Sequence, residues 1–175
     1  MKHFQNINDK LSRIENYLHN QALDIIGIEA IKHFQDSFTN EGFTDTNIVK
    51  WDTVKRKDSA SPWYGFKYGG TGTRPGVKRR KDQSITNYSD AATQRPILSG
   101  ETQELINAFE YEKKGTSVTV YNTKPYAQIH NEGGTVKVFN KRTAKMPQRK
   151  FMGRSAVLRA HLQKEIMSDI LKILK

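Results

Sequence analysis

Apolar residues recur every three or four positions through the first forty residues of the chain. A first stripe, whose members would share one helix face, comprises Phe4, Ile7, Leu11, Ile14 and Leu18. The pattern weakens at 19–21, and a second stripe follows at Ala22, Ile25, Ile26, Ala30, Phe34 and Phe38. We therefore predict two consecutive helices, over about 3–19 and 21–39, or one long bent helix, with Gly42 as a stop signal.

Alternation with a period of two appears in the second half of the chain. It occurs at 108–113 and 117–122, on either side of a glycine-containing turn, and this arrangement is typical of a β-hairpin. A third alternating run, at 135–140, predicts another strand. The intervening 126–130 is expected to be a short helix or strand, and 141–150 a basic loop.

Two further helices are expected. A short one follows Pro96 and places Leu105, Ile106 and Phe109 on one side. Ser155 is a suitable N-cap for a C-terminal helix with an i+4 apolar stripe. Together these elements predict an α+β fold in which N-terminal helices and a C-terminal helix pack on a small antiparallel sheet. A length of 175 residues favours a single domain spanning 1–175.

The segment 52–95 shows neither period. It is rich in glycine and contains four aromatic residues, Trp63, Tyr64, Phe66 and Tyr68. Loops of this length inside a domain are usually functional or disordered, so we predict a long mobile loop. Its glycines do not form a phosphate-binding Walker loop, because no Gly-Lys-Ser/Thr sequence opens a helix after a strand.

The formal net charge of +11 is concentrated in two segments. Residues 50–95 hold eleven Lys and Arg against four Asp, and residues 137–154 hold seven Lys and Arg and no acidic residue. The first segment contains the basic run Lys78, Arg79, Arg80 and Lys81. Such segments suit contact with nucleic acid or with an acidic protein face, and charge alone does not choose between them.

Residues suited to catalysis are sparse. The chain has no cysteine, which excludes disulfides, thiolate metal sites and cysteine nucleophiles. Its five histidines lack metal-binding spacing, and His130 has no catalytic partner that the sequence identifies. We therefore predict a protein that is not an enzyme and uses no cofactor or metal. With neither a signal-like start nor an apolar run of about 18 residues, it is also expected to have no contact with a membrane.

Three short motifs occur in a fixed order over about sixty residues. Ile97–Ile106 has the sequence ILSGETQELI, Pro125–Gly134 has PYAQIHNEGG, and Met146–Gly153 has MPQRKFMG. The ordered set resembles the phage virion morphogenesis (tail-completion) family, which includes Mu-like tail proteins and is related to neck and head–tail joining proteins. The chain departs from the family pattern at Lys150, where a proline is usual, and at Glu101, where the usual Thr-Gly pair is absent.

The resemblance implies a structural protein of the virion that completes the tail or joins tail to head, as one subunit of a ring. Its partners would be copies of itself, the tail tube or tail terminator, and head–tail connector proteins, with transient contact to DNA in the channel. It would be located in the virion tail or neck, and in the bacterial host cytoplasm during assembly.

Candidate assembly residues come from the motifs and from the long loop. The motif residues are Tyr126, Ile129, His130, Gly133, Gly134, Arg149 and Phe151. The loop residues are Trp63, Tyr64, Phe66, Lys78, Arg79, Arg80 and Lys81. We expect Tyr126 and Ile129 to be buried anchors, Phe151 to pack the last helix onto the core, and the two glycines to allow positive φ or close backbone approach.

The alternative function is that of a basic nucleic-acid-binding module, which would use loops 52–95 and 137–154. It predicts tight, steeply salt-dependent binding of DNA by the isolated protein. An enzyme such as a nuclease, with His130 as its base, is a third alternative.

Overall fold

The computed structural model describes residues 2–66, 89–100, 102–138 and 142–175. In these residues the α-helices are α1 (Lys2–Asn16), α2 (Ala22–Thr39), α3 (Asp90–Gln94), α4 (Ala127–Glu132) and α5 (Ala156–Leu174). The strands are β1 (Gly42–Thr44), β2 (Ile48–Lys50), β3 (Phe109–Lys114), β4 (Ser117–Asn122), β5 (Gly134–Val138) and β6 (Arg142–Met146). They form three antiparallel hairpins, β1–β2, β3–β4 and β5–β6. The predicted α+β class is confirmed. Within the described ranges, no helix combines the length and apolarity that crossing a bilayer requires.

A π-helical turn at Tyr17–Gln21 joins α1 to α2, so the N-terminal region is one continuous helix. The turn contains 19–21, where the apolar pattern weakens, because a wider turn shifts the register of the helix face. α1 runs antiparallel to α5. The Tyr17 hydroxyl donates to Asp169 Oδ2 at 3.0 Å, and Lys10 Nζ donates to the Leu174 carbonyl at 2.5 Å.

Aromatic rings from four parts of the chain form the core. The Phe38 ring on α2 lies 5.7 Å from Trp51, 5.2 Å from Phe151 and 6.2 Å from Phe109, measured between centroids. Phe151 itself has 0% of its surface exposed. The Phe38–Trp51 and Phe109–Phe151 pairs are close to perpendicular, an arrangement that adds about 0.5–1.5 kcal/mol per pair beyond burial.

The end of α2 differs from the expectation that Gly42 stops the helix. The chain reverses at Glu41, which has a φ of 45°, while Gly42 already belongs to β1. A Cβ at Gly42 would lie 2.6 Å from the Val49 carbonyl oxygen, so the glycine permits close approach within the β1–β2 hairpin. This short hairpin, which sequence did not predict, then holds the start of α5, because Asp45 Oδ1 accepts from the Ala156 N–H at 2.6 Å.

The short helix predicted after Pro96 is wrong. Three residues there, Leu98, Gly100 and Gln103, have φ values of 62°, 62° and 54°, which a right-handed helix cannot contain. The segment forms successive turns instead. Leu105 and Phe109 are nevertheless buried. Their apolar spacing therefore identified buried positions correctly, but it did not indicate a helix.

The predicted basic loop at 141–150 is also partly wrong, because Arg142–Met146 forms β6 and pairs with β5. Both faces of β6 are exposed for most of its length, so the strand carries no alternating pattern that could reveal it. The other expectations in this half are confirmed. They are the β3–β4 hairpin with Gly115 at a φ of 59°, the helical form of 126–130, and the Ser155 N-cap, whose Oγ accepts from the Leu158 N–H at 3.2 Å. The strand predicted at 135–140 is present as β5 through 138, and its last two residues lie outside the described residues.

The described ends of the predicted loop at 52–95 are structured. α3 lies inside this range, and the Ser89 N–H donates to the Gly65 carbonyl at 2.8 Å. The loop therefore leaves and rejoins the fold at one place. The predicted mobility, together with Tyr68 and the basic run at 78–81, falls on 67–88, outside the described residues.

The Tyr17 hydroxyl should stabilise the contact between the N-terminal helix and α5. Tyr17 is buried, and burial together with its hydrogen bond to Asp169 raises the pKa of the phenol from 10.0 to about 12. We expect Tyr17→Phe to lower the free energy of unfolding by roughly 1–2 kcal/mol in urea denaturation at pH 7. Because the folded-state pKa is raised, this contribution is present below pH 10 and is lost as the pH rises toward 12.

Tyr121→Phe is the matched control, since that hydroxyl bonds Glu110 on the exposed face of the β3–β4 hairpin. It should change stability by less than about 0.5 kcal/mol. Equal losses in the two variants would contradict a special role for Tyr17.

Candidate functional site

Hydrogen bonds from α4 connect the second and third sequence motifs. The Asn131 side chain Oδ1 accepts from the Phe151 N–H at 2.9 Å and from the Met152 N–H at 3.0 Å. One residue earlier, the His130 carbonyl accepts from the Arg149 N–H at 2.8 Å. The helix thus fixes the segment that carries Arg149 and Phe151. Sequence reasoning missed Asn131, although its place beside His130 in the motif was a usable signal.

The double glycine after α4 makes this contact possible. Gly133 has a φ of 73°, and a Cβ there would lie 2.8 Å from the Gln148 backbone nitrogen. Gly134 has a φ of 133°, and a Cβ there would lie 3.1 Å from Ile129 Cδ1. The expected positive φ and close backbone approach are therefore both present at this turn.

A pocket of about 690 Å³ opens beside this turn. Its wall contains the turns at 97–100, and it is lined in part by five of the candidate residues, which are Trp63, Phe66, Tyr126, His130 and Arg149. The Trp63 and Phe66 rings pack edge to face with centroids 5.3 Å apart. The structure therefore brings aromatic residues of the long loop together with both later motifs.

Other candidates lie elsewhere. Phe151 is in the core, as expected, and has no exposed surface for a neighbouring protein. Ile129, Gly133 and Gly134 form the turn behind the pocket. Tyr64 is half-buried near the described end of the loop, and Lys78, Arg79, Arg80 and Lys81 lie outside the described residues.

Tyr126 is not the buried anchor that was expected. It is 39% exposed, and the neighbouring Ala127 occupies the buried position instead. Tyr126 precedes the first residue of α4, and its ring stands edge-on to the His130 ring at 6.0 Å. Its aromatic surface therefore lines the pocket rather than filling the core. Ile129 is half-buried.

Arg56 holds one wall of the pocket in place, and sequence reasoning did not single it out. Its guanidinium donates to the carbonyls of Ala92, Arg95 and Pro96 at 2.5, 2.8 and 3.0 Å. Burial, followed by the nearby charge of Arg95, lowers the pKa of Arg56. This arginine therefore ties the described start of the 52–95 segment to α3 and to the residues that follow it.

Arg149 and His130 have unsatisfied buried atoms. Arg149 is only 7% exposed, and among the described residues its Nε has no hydrogen-bond partner. His130 Nδ1 is also buried and, in the same part of the chain, lacks a partner. Burial, followed by the charge of Arg149, lowers the pKa of His130, so the folded protein favours the neutral imidazole.

A separate cluster brings together groups that could hold a metal ion. His161 Nε2 lies 3.4 Å from Glu29 Oε2 and 3.5 Å from Glu165 Oε2. Lys32 Nζ already bonds the other Glu29 oxygen at 2.5 Å, so Glu29 has an ion-pair partner without a metal. Sequence reasoning missed this cluster because Glu29 comes from α2 and the other two residues from α5.

A model of the phage virion morphogenesis family matches residues 73–175, which is more than half of the chain. The chain belongs to this family. The matched part includes α4, the double glycine, Arg149 and α5, so the resemblance drawn from the three motifs is confirmed. No curated protein and no solved structure matches the chain. Membership establishes a structural role in phage virion morphogenesis.

The double glycine of this phage protein should be intolerant of side chains. Gly133→Ala adds a Cβ against the backbone of the segment that carries Arg149, as well as backbone strain. We expect a loss of more than about 3 kcal/mol in the free energy of unfolding, measured by chemical denaturation.

Gly115→Ala tests a positive φ without crowding, because Gly115 has no atom of the described residues within 4 Å of its Cβ position. It should cost roughly 1–2 kcal/mol, from backbone strain alone. Gly133, with φ 73° and ψ −172°, lies in a region that essentially only glycine occupies, so its backbone strain adds to the crowding. Similar losses at both positions would show that close approach at Gly133 is unimportant.

The buried His130 should make stability depend on pH. Since its pKa in the folded state is lowered, its contribution is present above the ordinary value of 6.5 and is lost as the pH falls below it. Between about pH 7.5 and pH 5, urea denaturation should show a larger loss of stability for the unmodified chain than for His130→Gln. The other histidines are the same in both proteins, so identical pH profiles would contradict burial of a neutral His130.

Proposed function

We propose that this family member is a non-enzymatic ring subunit that completes the phage tail or joins the tail to the head. The observation that carries the proposal is the family match across the part of the chain that builds α4, most of the pocket lining and α5. The fold supports an assembly role, because the residues of the motifs are used to hold Phe151 and Arg149 in place. The protein would reside in the virion tail or neck.

Exposed apolar residues on α1 and α5 support contacts between copies. Leu11 on α1 is 57% exposed, and Met167 and Leu171 on α5 are 56% and 51% exposed. Large apolar side chains clustered on the surface of a monomer commonly mark interaction sites. In the proposed ring, these helices of one copy contact a different surface of the next copy, as closed head-to-tail assembly requires.

The β5–β6 hairpin offers a surface of another kind. Lys137, Arg142 and Lys145 are exposed along it. In the ring this basic hairpin would face an acidic surface of the connector or tail proteins, or the DNA channel.

Inactivating the gene in its phage should leave separate heads and unfinished tails, visible by negative-stain microscopy. Supplying the wild-type protein in trans should restore infectious particles. Leu11→Glu or Leu171→Glu should restore less than about a tenth of the wild-type number of infectious particles, because each variant places a charge in an apolar interface. Val49→Glu is the control, since Val49 is also an exposed apolar residue but lies on the β1–β2 hairpin. Normal virions without the protein would refute the assembly role.

The exposed basic hairpin also favours a second candidate function, binding of nucleic acid. In that case the purified protein should bind a DNA duplex at physiological salt with a steep dependence on salt concentration. Changing Lys137, Arg142 and Lys145 to Gln should reduce the log–log salt slope by about 0.9 for each phosphate that the protein no longer neutralises. Weak binding at 150 mM salt, unchanged by these substitutions, would exclude this function.

A further inference from the structure

The pocket beside α4 is positively charged. Among its described lining residues, the cationic side chains are Lys55, Arg56, Arg95 and Arg149, and the acidic one is Glu104. Glu104 Oε2 already bonds Lys124 Nζ at 2.8 Å. The lining is otherwise mainly aliphatic and aromatic, with Trp63 and Leu98 among its members. A ligand that fits this chemistry carries a negative charge and an adjacent apolar group.

Arg149 is the cation best placed to receive that charge. It is nine-tenths buried, and in the described part of the chain no carboxylate lies within ion-pair distance of it. The hydrogen bond from its Nη2 to the Asp52 carbonyl is a long one, at 3.4 Å. Arg56, by contrast, donates to three carbonyls and serves the fold. The Asp52 carboxylate acts on Arg149 only from beyond ion-pair distance, so burial still lowers the pKa of Arg149. A buried cation without a direct ion pair is costly, and a bound anion would offset that cost.

One residue of the pocket lining is held in an unusual backbone conformation. Leu98 lines the pocket with a φ of 62°, a left-handed conformation that costs a leucine about 1–2 kcal/mol. Such strain persists only where surrounding structure enforces it, and it is concentrated at binding sites. Arg56 donates to the carbonyl of Pro96, two residues before Leu98, and so restrains the backbone next to it.

We infer that this pocket binds an acidic peptide segment of a neighbouring virion protein, with one carboxylate paired to Arg149. The apolar part of the segment packs on Trp63 and Leu98. A carboxylate fits Arg149 because the guanidinium can offer it two parallel N–H donors. The pairing of a carboxylate with Arg149 is argued from the pocket geometry. The identification of the bound segment as part of a virion protein rests on the proposed function.

A peptide carboxylate suits this site better than the phosphates of duplex DNA. Arg149 lines a recess of about 690 Å³ and has only 7% of its surface exposed. Phosphates of a duplex lie on the outside of a broad cylinder and cannot enter such a recess. The exposed hairpin residue Arg142, on the other hand, is open to either partner.

The test uses the full-length protein and a fluorescein-labelled dodecapeptide of alternating Leu and Glu, followed by anisotropy at 150 mM salt. The matching Leu–Gln peptide tests the need for carboxylates, and single-stranded oligothymidine tests phosphates. We expect the unmodified protein to bind the Leu–Glu peptide and Arg149→Gln to weaken that binding at least tenfold. Arg142→Gln removes the same charge from the exposed hairpin and should weaken binding less than twofold. Equal losses in the two variants, or equal binding of the Leu–Gln peptide or of oligothymidine, would overturn the inference.

A measurement on the unmodified chain covers the case in which Arg149→Gln fails to fold. The two tryptophans give separate indole N–H resonances, one from Trp63 in the pocket and one from Trp51, which is buried and bonded to the Lys150 carbonyl at 2.7 Å. Saturating Leu–Glu peptide should shift the Trp63 resonance more than the Trp51 resonance. A shift at neither tryptophan would also overturn the inference.

The two proposals fail in different ways. If the peptide binds as expected but virions form normally without the protein, the carboxylate pocket stands and the assembly function does not. If virions require the protein but a folded Arg149→Gln variant supports them fully, the pocket has no part in assembly.

Discussion

The burial of Phe151 is the interaction on which the rest of the structure depends. Its ring packs against Phe38 and Phe109, and its backbone is held from two sides, since Ser37 Oγ donates to its carbonyl at 3.1 Å and Asn131 accepts from its N–H. Buried backbone groups must find such partners or cost the fold a hydrogen bond each. The sequence around Phe151 is therefore constrained by side chains that come from α2 and α4. Replacing the ring would disturb both helices together, because each contributes to the same packed site.

This constraint also places the candidate site. Arg149 is two residues before Phe151 and is tied to the His130 carbonyl, so the aromatic core and the charged pocket are built by one short segment. The departure from the usual proline at Lys150 is accommodated, since the Lys150 carbonyl accepts from Trp51 and its ammonium group lies 4.2 Å from the Phe43 ring centroid. The amine there adds a cation–π contact of the kind worth about 0.5–1 kcal/mol at exposed positions.

Whether a feature of this fold could be predicted from the sequence depends on whether its interactions are local. Helix faces, the β3–β4 hairpin and the Ser155 cap are encoded by neighbouring residues, and all were predicted. β6 was missed because its two faces are both exposed, and the helix after Pro96 was wrong because left-handed residues break it. Five pocket residues were named from the sequence, but Arg56 and Asn131 were not. Their roles depend on partners 20 or more residues away, and a single sequence does not reveal such pairings.

An assembly subunit must keep its stability separate from its recognition surfaces. In this phage protein the aromatic core is closed within the chain, whereas the exposed apolar side chains of α1 and α5 and the exposed cations of the β5–β6 hairpin lie outside it. The two kinds of surface respond differently to salt, because contacts between exposed charges are screened while apolar burial is not weakened by screening. Arg149 belongs to neither group. Burial shields it from solvent ions, so the carboxylate contact proposed there would persist at salt concentrations that weaken charge contacts at the hairpin.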